Sequence, residues 1–436
     1  MKKTIYPLPK ESLEKRALRI FTPIKDKLCV TCMFAAGSGK KTTIKFLLKE
    51  KEIIKKILGK LYDKTIFVYI NPDDASGLSS EDYLLILLNS LTLKMKEIGI
   101  NPVLVNQLNT LELIKRNLEQ LVANNIYTVF FLYDFEFLFY LPQNIFRNLE
   151  SILSVNKSLI NFVFLTSVNL FERKILAEFY NLTYAITQSN YYSPLFNKEE
   201  IGYIIANFEH SLATKFPDDI KKTVIELCGG HPQLLKYSFH ILTKNYDQLS
   251  QNKDKIKDFL LNNYQLKNVC YDIWQNFNDV EMKIVSSVCI TQKIPPTLIN
   301  KSDFLLKTKI VQSSTEGHYK LFGKIFDHFV RLQIPKEKLI YDKETNQIFF
   351  GGQNYSHKFS LQEFKLLVHF IKNQNKVISR DEIGQILWGS NYVEKFSDWS
   401  IDKIISIIRK KLTEIEFPAQ NLITLKRRGF SFSNPS

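Results

Sequence analysis

The chain has 436 residues, a formal net charge of +15 and a hydrophobic content of 45%. Because one ordinary core rarely serves a chain of this length, we expect two to four folded domains. No apolar run reaches the ~18 to 20 residues that cross a bilayer, and the first residues lack the apolar segment of a secretory signal, so we expect a cytoplasmic protein with no membrane partner. The positive charge is compatible with a polyanionic partner but does not locate its binding surface.

Short apolar runs alternate with helical periods from residue 12 to about residue 193. The runs rich in Val, Ile, Phe, Tyr or Thr predict strands at 28–36, 65–71, 128–134, 161–166 and 182–186. Periods typical of amphipathic helices lie between them, at 41–58, 80–98 and 110–123. This alternation predicts an α/β domain with a parallel sheet and helices on both faces.

A glycine-rich loop joins the first predicted strand to the first of these helices. Glycines allow backbone N–H groups to converge on an anion, a lysine reaches the terminal phosphates, and the helix N-terminus favours negative charge. We therefore predict that ATP or ADP binds at Gly37, Ser38, Gly39, Lys40, Lys41, Thr42 and Thr43.

Two positions depart from the usual phosphate-loop pattern. Phe34 stands at the place of the first glycine, and Lys41 stands where a hydroxyl ordinarily binds Mg²⁺. Thr42 supplies that hydroxyl if the helix begins one residue later. Otherwise nucleotide binds while metal-dependent hydrolysis is weak or absent, and the sequence leaves both alternatives open.

Candidate catalytic residues follow two later strands. The strand 128–134 ends in Asp134, which is predicted to hold the hydrated Mg²⁺ ion, and Glu136 is predicted to orient the attacking water. Thr166 follows the next strand and is predicted to sense the terminal phosphate. Many buried strands end in an aspartate that has no such role. The prediction for Asp134 therefore depends on its position in the chain after a glycine loop.

Residues 196–333 are mostly helical. Gly229-Gly230 predicts the end of one helix and Pro232 the first turn of the next. Residues 1–333 resemble the STAND and AAA+ classes of P-loop ATPases, and the segment 228–235 is similar to the G-x-P element of the STAND lid. That resemblance implies that Pro232 lies near the adenine of bound ADP and that 269–333 forms a winged helix. The alternative is a simple helix-start turn at His231-Pro232.

The C-terminal residues predict a strand, three helices and a final hairpin. The pattern resembles the winged-helix DNA-binding domain of the OmpR/PhoB type, with a recognition helix at 400–412 and a wing at 423–430. The resemblance implies contact with double-stranded DNA, although Ile407 and Arg427 replace residues usual in that family. A domain reused for protein contacts is the alternative. The DNA-binding candidates are Lys403, Ser406, Arg409, Lys410, Lys426, Arg427 and Arg428.

These expectations combine into a transcription regulator switched by ATP or ADP, with a possible nucleotide-dependent homo-oligomer. Its predicted parts are an α/β ATPase domain at 1–195, a helical lid at 196–268, a winged unit at 269–333, a linker at 334–338 and the DNA-binding domain at 339–436. Two other functions fit the same pattern: a replication-initiator-like AAA+ ATPase, and a defence-type signalling ATPase whose last domain binds protein. Slow ATP hydrolysis is left open.

Overall fold

The computed structural model describes residues 7–74, 77, 79–105, 107–249, 253–314, 317–334, 338–389, 398–415, 417–425 and 428–434. The chain forms two compact units. One comprises Met1–Met282, Thr297–Gln312 and Phe322–Phe326, and the other comprises Lys283–Pro296, Ser313–Leu321 and Asp327–Ser436. Of the predicted linker 334–338, Ile334 and Lys338 lie within the described residues, and Ile334 is buried.

A five-stranded parallel sheet forms the centre of the first unit, which confirms the predicted fold class. Its strands lie in the order β2-β3-β4-β1-β5, and each neighbouring pair is parallel. The strands are β1 (Val30–Met33), β2 (Thr65–Ile70), β3 (Tyr127–Leu132), β4 (Ile160–Thr166) and β5 (Asn190–Tyr192). Because parallel strands all end at one edge, the segments after β1, β3 and β4 meet there; we call this the carboxyl edge.

Helices cover both faces of this sheet. They are α1 (Lys10–Lys25), α2 (Lys40–Lys49), α3 (Lys51–Leu58), α4 (Ser80–Glu97), α5 (Thr110–Ala123), α6 (Asn144–Leu153), α7 (Arg173–Leu176) and α8 (Leu182–Ile186). The alternation of β3 shows the two layers. Phe130 and Leu132 enter the core under α4, α5 and α6, whereas Val129 and Phe131 enter the core under α1, α2 and α3.

Two predicted elements were wrong. The run Leu182–Ile186 is a helix, because its buried residues Leu182, Ala185 and Ile186 follow helical spacing, and a short apolar run does not distinguish a helix from a strand. The fifth strand comes later, at Asn190–Tyr192. The single helix predicted at 41–58 is two helices, separated at Glu50, where ψ is 72°.

Helices dominate residues 198–333, which belong partly to the first unit and partly to the second. They are α9 (Lys198–Ser211), α10 (Asp218–Cys228), α11 (Pro232–Leu249), α12 (Lys253–Asn262) and α13 (Tyr264–Gln275), followed by α14 (Asp279–Thr291), α15 (Asp303–Lys307), β6 (Val311–Ser313), β7 (Tyr319–Leu321) and α16 (Lys324–Gln333). Asn197 caps α9 in a capping box with Glu200. Gly229 closes α10 with a φ of 56°, which is the helix end that the sequence predicts.

The C-terminal part of the second unit contains more strands than the sequence predicts. Its elements are β8 (Leu339–Asp342), β9 (Gln347–Phe350), β10 (Gln353–Asn354), α17 (Leu361–Lys372), β11 (Val377–Ile378), α18 (Arg380–Trp388), α19 (Asp398–Glu414), β12 (Leu422–Leu425) and β13 (Gly429–Phe432). The first three strands form one antiparallel sheet, and β11, β13 and β12 form another. One side of α19 packs into the core through Ile401, Ile405, Ile408 and Leu412.

Candidate functional site

The glycine loop (residues 34–40) leads from β1 to the first turn of α2 at the carboxyl edge. Gly37 and Gly39 have φ values of 69° and 87°, a backbone conformation that side chains rarely adopt. A Cβ atom at Gly37 would lie 2.1 Å from Oε1 of Gln233. The conformation therefore requires glycine at residue 37, whereas the Gln233 amide is the end of a flexible side chain that can move aside. The N-terminus of α2, which begins at Lys40, faces the end of this loop.

Lys40 brings the two predicted acidic residues together. Its side chain is 6% exposed, and its Nζ lies 2.5 Å from Oδ1 of Asp134 and 3.2 Å from Oε1 of Glu136. The same ammonium donates to Oγ of Ser167 at 2.9 Å. The loop lysine and the residues after β3 and β4 thus occupy one site, as the positions of these residues in the sequence predict.

The serine after β4, rather than the threonine, contacts the lysine. The hydroxyl of Thr166 accepts from the backbone N–H of Val168 at 3.1 Å and is buried within its own turn. Ser167 reaches Lys40 through its hydroxyl and donates its backbone N–H to Oε1 of Glu136 at 2.9 Å. Adjacent residues in a turn point in different directions, and the sequence alone does not reveal which one faces the site.

Burial changes the pKa of an acidic group in this site. Asp134 has a φ of 47°, and burial raises the pKa of its carboxyl group although Lys40 opposes the change; Glu136 and Asp73 add to the increase. Oε2 of Glu136 and Oγ of Ser38 are buried and have no hydrogen-bond partner among the described residues. Native proteins rarely leave such atoms unpaired, so this edge has unused capacity for a polar ligand.

The first turn of α2 offers a second cation where a metal-binding hydroxyl is usual. Nζ of Lys41 lies 3.2 Å from Oδ2 of Asp73, and 5.5 Å from the ring centre of Tyr133. Thr42 is exposed and Thr43 is buried. Because α2 begins at Lys40, the condition under which Thr42 replaces the hydroxyl, a helix that starts one residue later, is not met.

The start of α11 lies against the glycine loop. His231 is fully buried, its Nε2 is 2.8 Å from the carbonyl oxygen of Ala36, and its ring stacks on Phe322 with centres 5.5 Å apart. A Cβ atom on Gly39 would lie 4.0 Å from Cγ of Pro232. The predicted Pro232 is therefore beside the loop. The histidine before it makes the direct contact, a role that the sequence did not predict.

A buried ion pair holds α9 against α1. Nη2 of Arg16 lies 3.0 Å from Oε1 of Glu200, and Nη1 donates to Oγ of Ser193 at 2.7 Å. Both charged side chains are less than a tenth exposed. Removing either partner would leave the other charge buried and unpaired, so this contact fixes α9 to α1.

The second unit carries the predicted DNA-binding residues on α19 and on the β12–β13 hairpin. Lys403, Ser406 and Lys410 are exposed on α19, and the Lys403 ammonium lies 5.0 Å from the ring centre of Trp399, which is itself exposed. Arg428 is exposed beside β13. Lys426 and Arg427 lie outside the described residues.

Arg409 is committed to an internal contact. Its Nε and Nη2 donate to the carbonyl oxygen of Leu422 at 3.0 and 2.6 Å, and Nη2 also donates to Oγ1 of Thr424 at 2.8 Å. Burial lowers the pKa of its guanidinium, an effect that Asp402 opposes. The side chain thereby joins α19 to the first strand of the hairpin.

Arg380 makes a further contact with α19. Its Nη2 donates to Oδ1 of Asp402 at 2.8 Å, and its guanidinium carbon lies 5.2 Å from the ring centre of Phe430. One side chain of α18 thus contacts both α19 and β13.

Among the described residues, no helix combines the length and the apolar character that crossing a membrane requires.

Comparison with known proteins identifies the C-terminal part. Residues 354–432 match the family described as "Transcriptional regulatory protein, C terminal". Transcriptional regulatory protein CiaR of Streptococcus pneumoniae is 39% identical over 72 residues, which are 16% of this chain. The matched segment spans 30% of the length of CiaR.

Solved structures of ATPases are similar at low identity. The Aeropyrum pernix ORC2 protein, in ADPNP and ADP complexes, has a TM-score of 0.42 and 12% identity, over 77% of this chain and 97% of that one. A Walker-type ATPase of Pyrococcus abyssi has a TM-score of 0.47 and 12% identity, over 73% of this chain and 94% of that one. Residues 354–432 thus match the C-terminal domain of transcriptional regulatory proteins, and the chain also contains a five-stranded parallel sheet that carries the glycine loop.

Proposed function

We propose that this chain is a nucleotide-controlled transcription regulator that binds duplex DNA through α19 and the β12–β13 hairpin. The observation that carries the proposal is the family match at 354–432, which includes the helix with exposed Lys403, Ser406 and Lys410. Exposed cations on a helix and an adjacent hairpin neutralise phosphates, and polar side chains of the same face read base edges in the major groove.

The nucleotide in this proposal is ATP or ADP, bound at the glycine loop. Lys40 has two carboxylates and a hydroxyl as partners, and it exchanges the hydroxyl for a phosphate oxygen when the nucleotide enters. Gly37 and Gly39 give the loop the backbone conformation that phosphate-binding loops use, and the α2 N-terminus adds its dipole. The unpaired Oγ of Ser38 supplies a further donor beside the loop.

The lid connects nucleotide state to DNA binding in this proposal. The similarity of 228–235 to the STAND lid element supports it, because His231 and Pro232 lie against the loop that takes the phosphates. Nucleotide exchange or hydrolysis releases the lid, promotes self-association and presents the C-terminal domain to DNA. Such control requires that the nucleotide bind the two conformations with different affinity.

The test is genome-wide DNA enrichment by the full-length protein with ATP, with ADP and without nucleotide. We expect the wild-type protein to enrich a limited set of promoter sites and to do so differently with the two nucleotides. A Lys403→Ala, Lys410→Ala double variant is expected to lose enrichment, and its binding is expected to depend less on salt, by about one unit of slope per lost phosphate contact. Lys343→Ala, which removes an exposed lysine from the turn after β8, is the matched control.

The remaining possible results of this experiment point to other functions. Equal DNA affinity and equal oligomeric state with ATP and ADP would contradict nucleotide control. Enrichment at a single origin together with strand melting would support a replication initiator. If the folded wild-type protein retained no DNA in any nucleotide state, a signalling ATPase with a protein-binding C-terminal domain would be the better reading.

A further inference from the structure

Lys41, the residue that follows the loop lysine Lys40, has its side chain beside an acidic residue at the carboxyl edge. Lys41 contacts Asp73, which follows β2, and it also lies against the ring of Tyr133, at the end of β3. The Lys40 ammonium is 4.9 Å from the centre of the same ring. One aromatic ring therefore has two ammonium groups within 5.5 Å of its centre, and both belong to the first turn of α2.

These residues fit a magnesium ion poorly. A P-loop ATPase offers Mg²⁺ the hydroxyl of the residue after the loop lysine and a carboxylate from a neighbouring strand end. Here the hydroxyl is replaced by an ammonium group, which donates hydrogen bonds and has no lone pair for a cation. The carboxylate of Asp134 already pairs with Lys40 at 2.5 Å. Two ammonium groups beside the phosphates also repel a divalent cation placed near them.

We propose that Lys41 supplies the positive charge that a divalent cation ordinarily supplies beside the phosphates, so that the chain binds ADP and ATP without Mg²⁺. The inference rests on the proposed nucleotide site and describes its cation requirement. A lysine suits this role because its compact charge sits on a flexible stem and can move between partners.

The present partner of Lys41 is easily exchanged. The side chains of Lys41 and Asp73 are 43% and 65% exposed, and ion pairs of such exposure contribute little to stability. Moving the ammonium from Asp73 to a phosphate therefore costs little. Lys40 differs, because its side chain is 6% exposed and is held by two acids. Lys40 is a fixed part of the site, and Lys41 adds a positive charge that can move to the phosphates.

The test compares nucleotide affinity in buffers that contain Mg²⁺ or EDTA. The full-length protein is titrated with the fluorescent nucleotide N-methylanthraniloyl-ADP, and unlabelled ADP and ATP compete for the site. We expect the dissociation constants of the wild-type protein to agree within about threefold in the two buffers, which is less than 1 kcal/mol. In Lys41→Thr, which restores the hydroxyl, binding in EDTA is expected to weaken about tenfold and to recover when Mg²⁺ is added.

Two further variants make the result specific. Lys45→Thr makes the same change in charge one helical turn later, where the ammonium lies 5.2 Å from the ring centre of Tyr69, and it is expected to behave like the wild-type protein. Lys40→Ala is expected to lose binding in both buffers. Wild-type binding that disappears in EDTA would overturn the inference alone. Absence of nucleotide binding in both buffers would overturn the proposed nucleotide site and the inference together.

Discussion

His231 joins helix α11 to the glycine loop by donating from Nε2 to the carbonyl oxygen of Ala36 at 2.8 Å. Its other ring nitrogen, Nδ1, accepts from the backbone N–H of Leu234 at 3.3 Å. An imidazole that donates from one nitrogen and accepts at the other is neutral. The neutral form is the one that full burial favours, so the contact and the environment agree.

Replacing His231 with alanine is expected to destabilise the first unit. The change removes two hydrogen bonds, leaves the carbonyl of Ala36 without this donor and removes the ring that stacks on Phe322. Together these losses lower the free energy of unfolding by about 3 kcal/mol. Chemical unfolding followed by circular dichroism measures the change. His240→Ala, on the exposed side of the same helix, is expected to stay within about 0.5 kcal/mol of the wild-type value.

The same histidine gives the stability a pH dependence of known sign. Burial lowers the pKa of His231 to about 4 from its ordinary 6.5, and the hydrogen bond to Ala36 opposes this shift only in part. Above pH 6.5 both states are neutral. Between pH 6.5 and pH 4 the unfolded chain binds a proton that the folded chain does not, so stability falls as the pH decreases, by roughly 3 kcal/mol in all.

The measurement is the difference between His231→Ala and the wild-type protein across this range, because other buried groups also titrate in it. We expect the destabilisation caused by the variant to shrink as the pH falls from 6.5 to 4. A difference that stays constant with pH would show that His231 keeps its ordinary pKa in the folded protein.

Much of the proposed nucleotide site follows from sequence patterns alone. Parallel strands end at one edge, so a strand that ends in Asp134 and a helix that starts after the glycine loop at Lys40 bring these two residues close together. Gly37 and Gly39 indicate the loop because residues with side chains rarely adopt their backbone conformation. Capping residues such as Asn197 and Ser360 predict helix starts because their side chains bond the first turns.

The remaining features depend on packing that a linear pattern does not contain. Whether Thr166 or Ser167 faces the lysine depends on the turn after β4. The contact of His231 joins residues 195 positions apart. Arg409 has the charge and the position of a DNA contact, yet its guanidinium donates hydrogen bonds to the carbonyl oxygen of Leu422 in the adjacent hairpin.

Glu281 is expected to show the opposite pH dependence. Burial raises the pKa of its carboxyl group to about 7 from 4.5, against the hydrogen bonds that it accepts from Asn169 and from the backbone of Asn278. Between pH 4.5 and pH 7 the folded chain holds a proton that the unfolded chain has lost. The contribution of Glu281 to stability is therefore fully present below pH 4.5 and is lost as the pH rises through 7.

Glu281→Gln is expected to remove this dependence while the amide oxygen still accepts from Asn169. The free energy of unfolding of the variant, relative to the wild-type protein, should rise by roughly 2 kcal/mol between pH 5 and pH 7.5. Unfolding at several pH values gives this difference. Glu178→Gln, at an exposed position, is the matched control for the change from carboxyl to amide. A difference for Glu281→Gln that does not vary with pH would mean that its carboxyl group ionises as it does in water.

Arg409 and Arg428 are expected to differ in what their removal changes. Arg409→Ala deprives the buried Leu422 of the two donors that its carbonyl oxygen accepts from, so the C-terminal domain should lose about 1 to 3 kcal/mol of stability. Arg428→Ala removes an exposed cation, so stability should stay within about 0.5 kcal/mol of wild type. In the proposed DNA complex its loss should instead reduce the salt dependence of binding by about 0.9 units of slope.

Unfolding and salt titration of DNA binding therefore separate the two arginines. If Arg409→Ala left stability unchanged but reduced the salt dependence by the amount of one phosphate contact, its guanidinium would have to leave Leu422 and bind DNA directly. Arg409→Lys sharpens the comparison, because lysine keeps the charge but cannot present the two neighbouring donors that now meet one carbonyl oxygen. A positioning role predicts that the lysine variant resembles alanine in stability, whereas a phosphate contact predicts that it resembles the wild-type protein in DNA affinity.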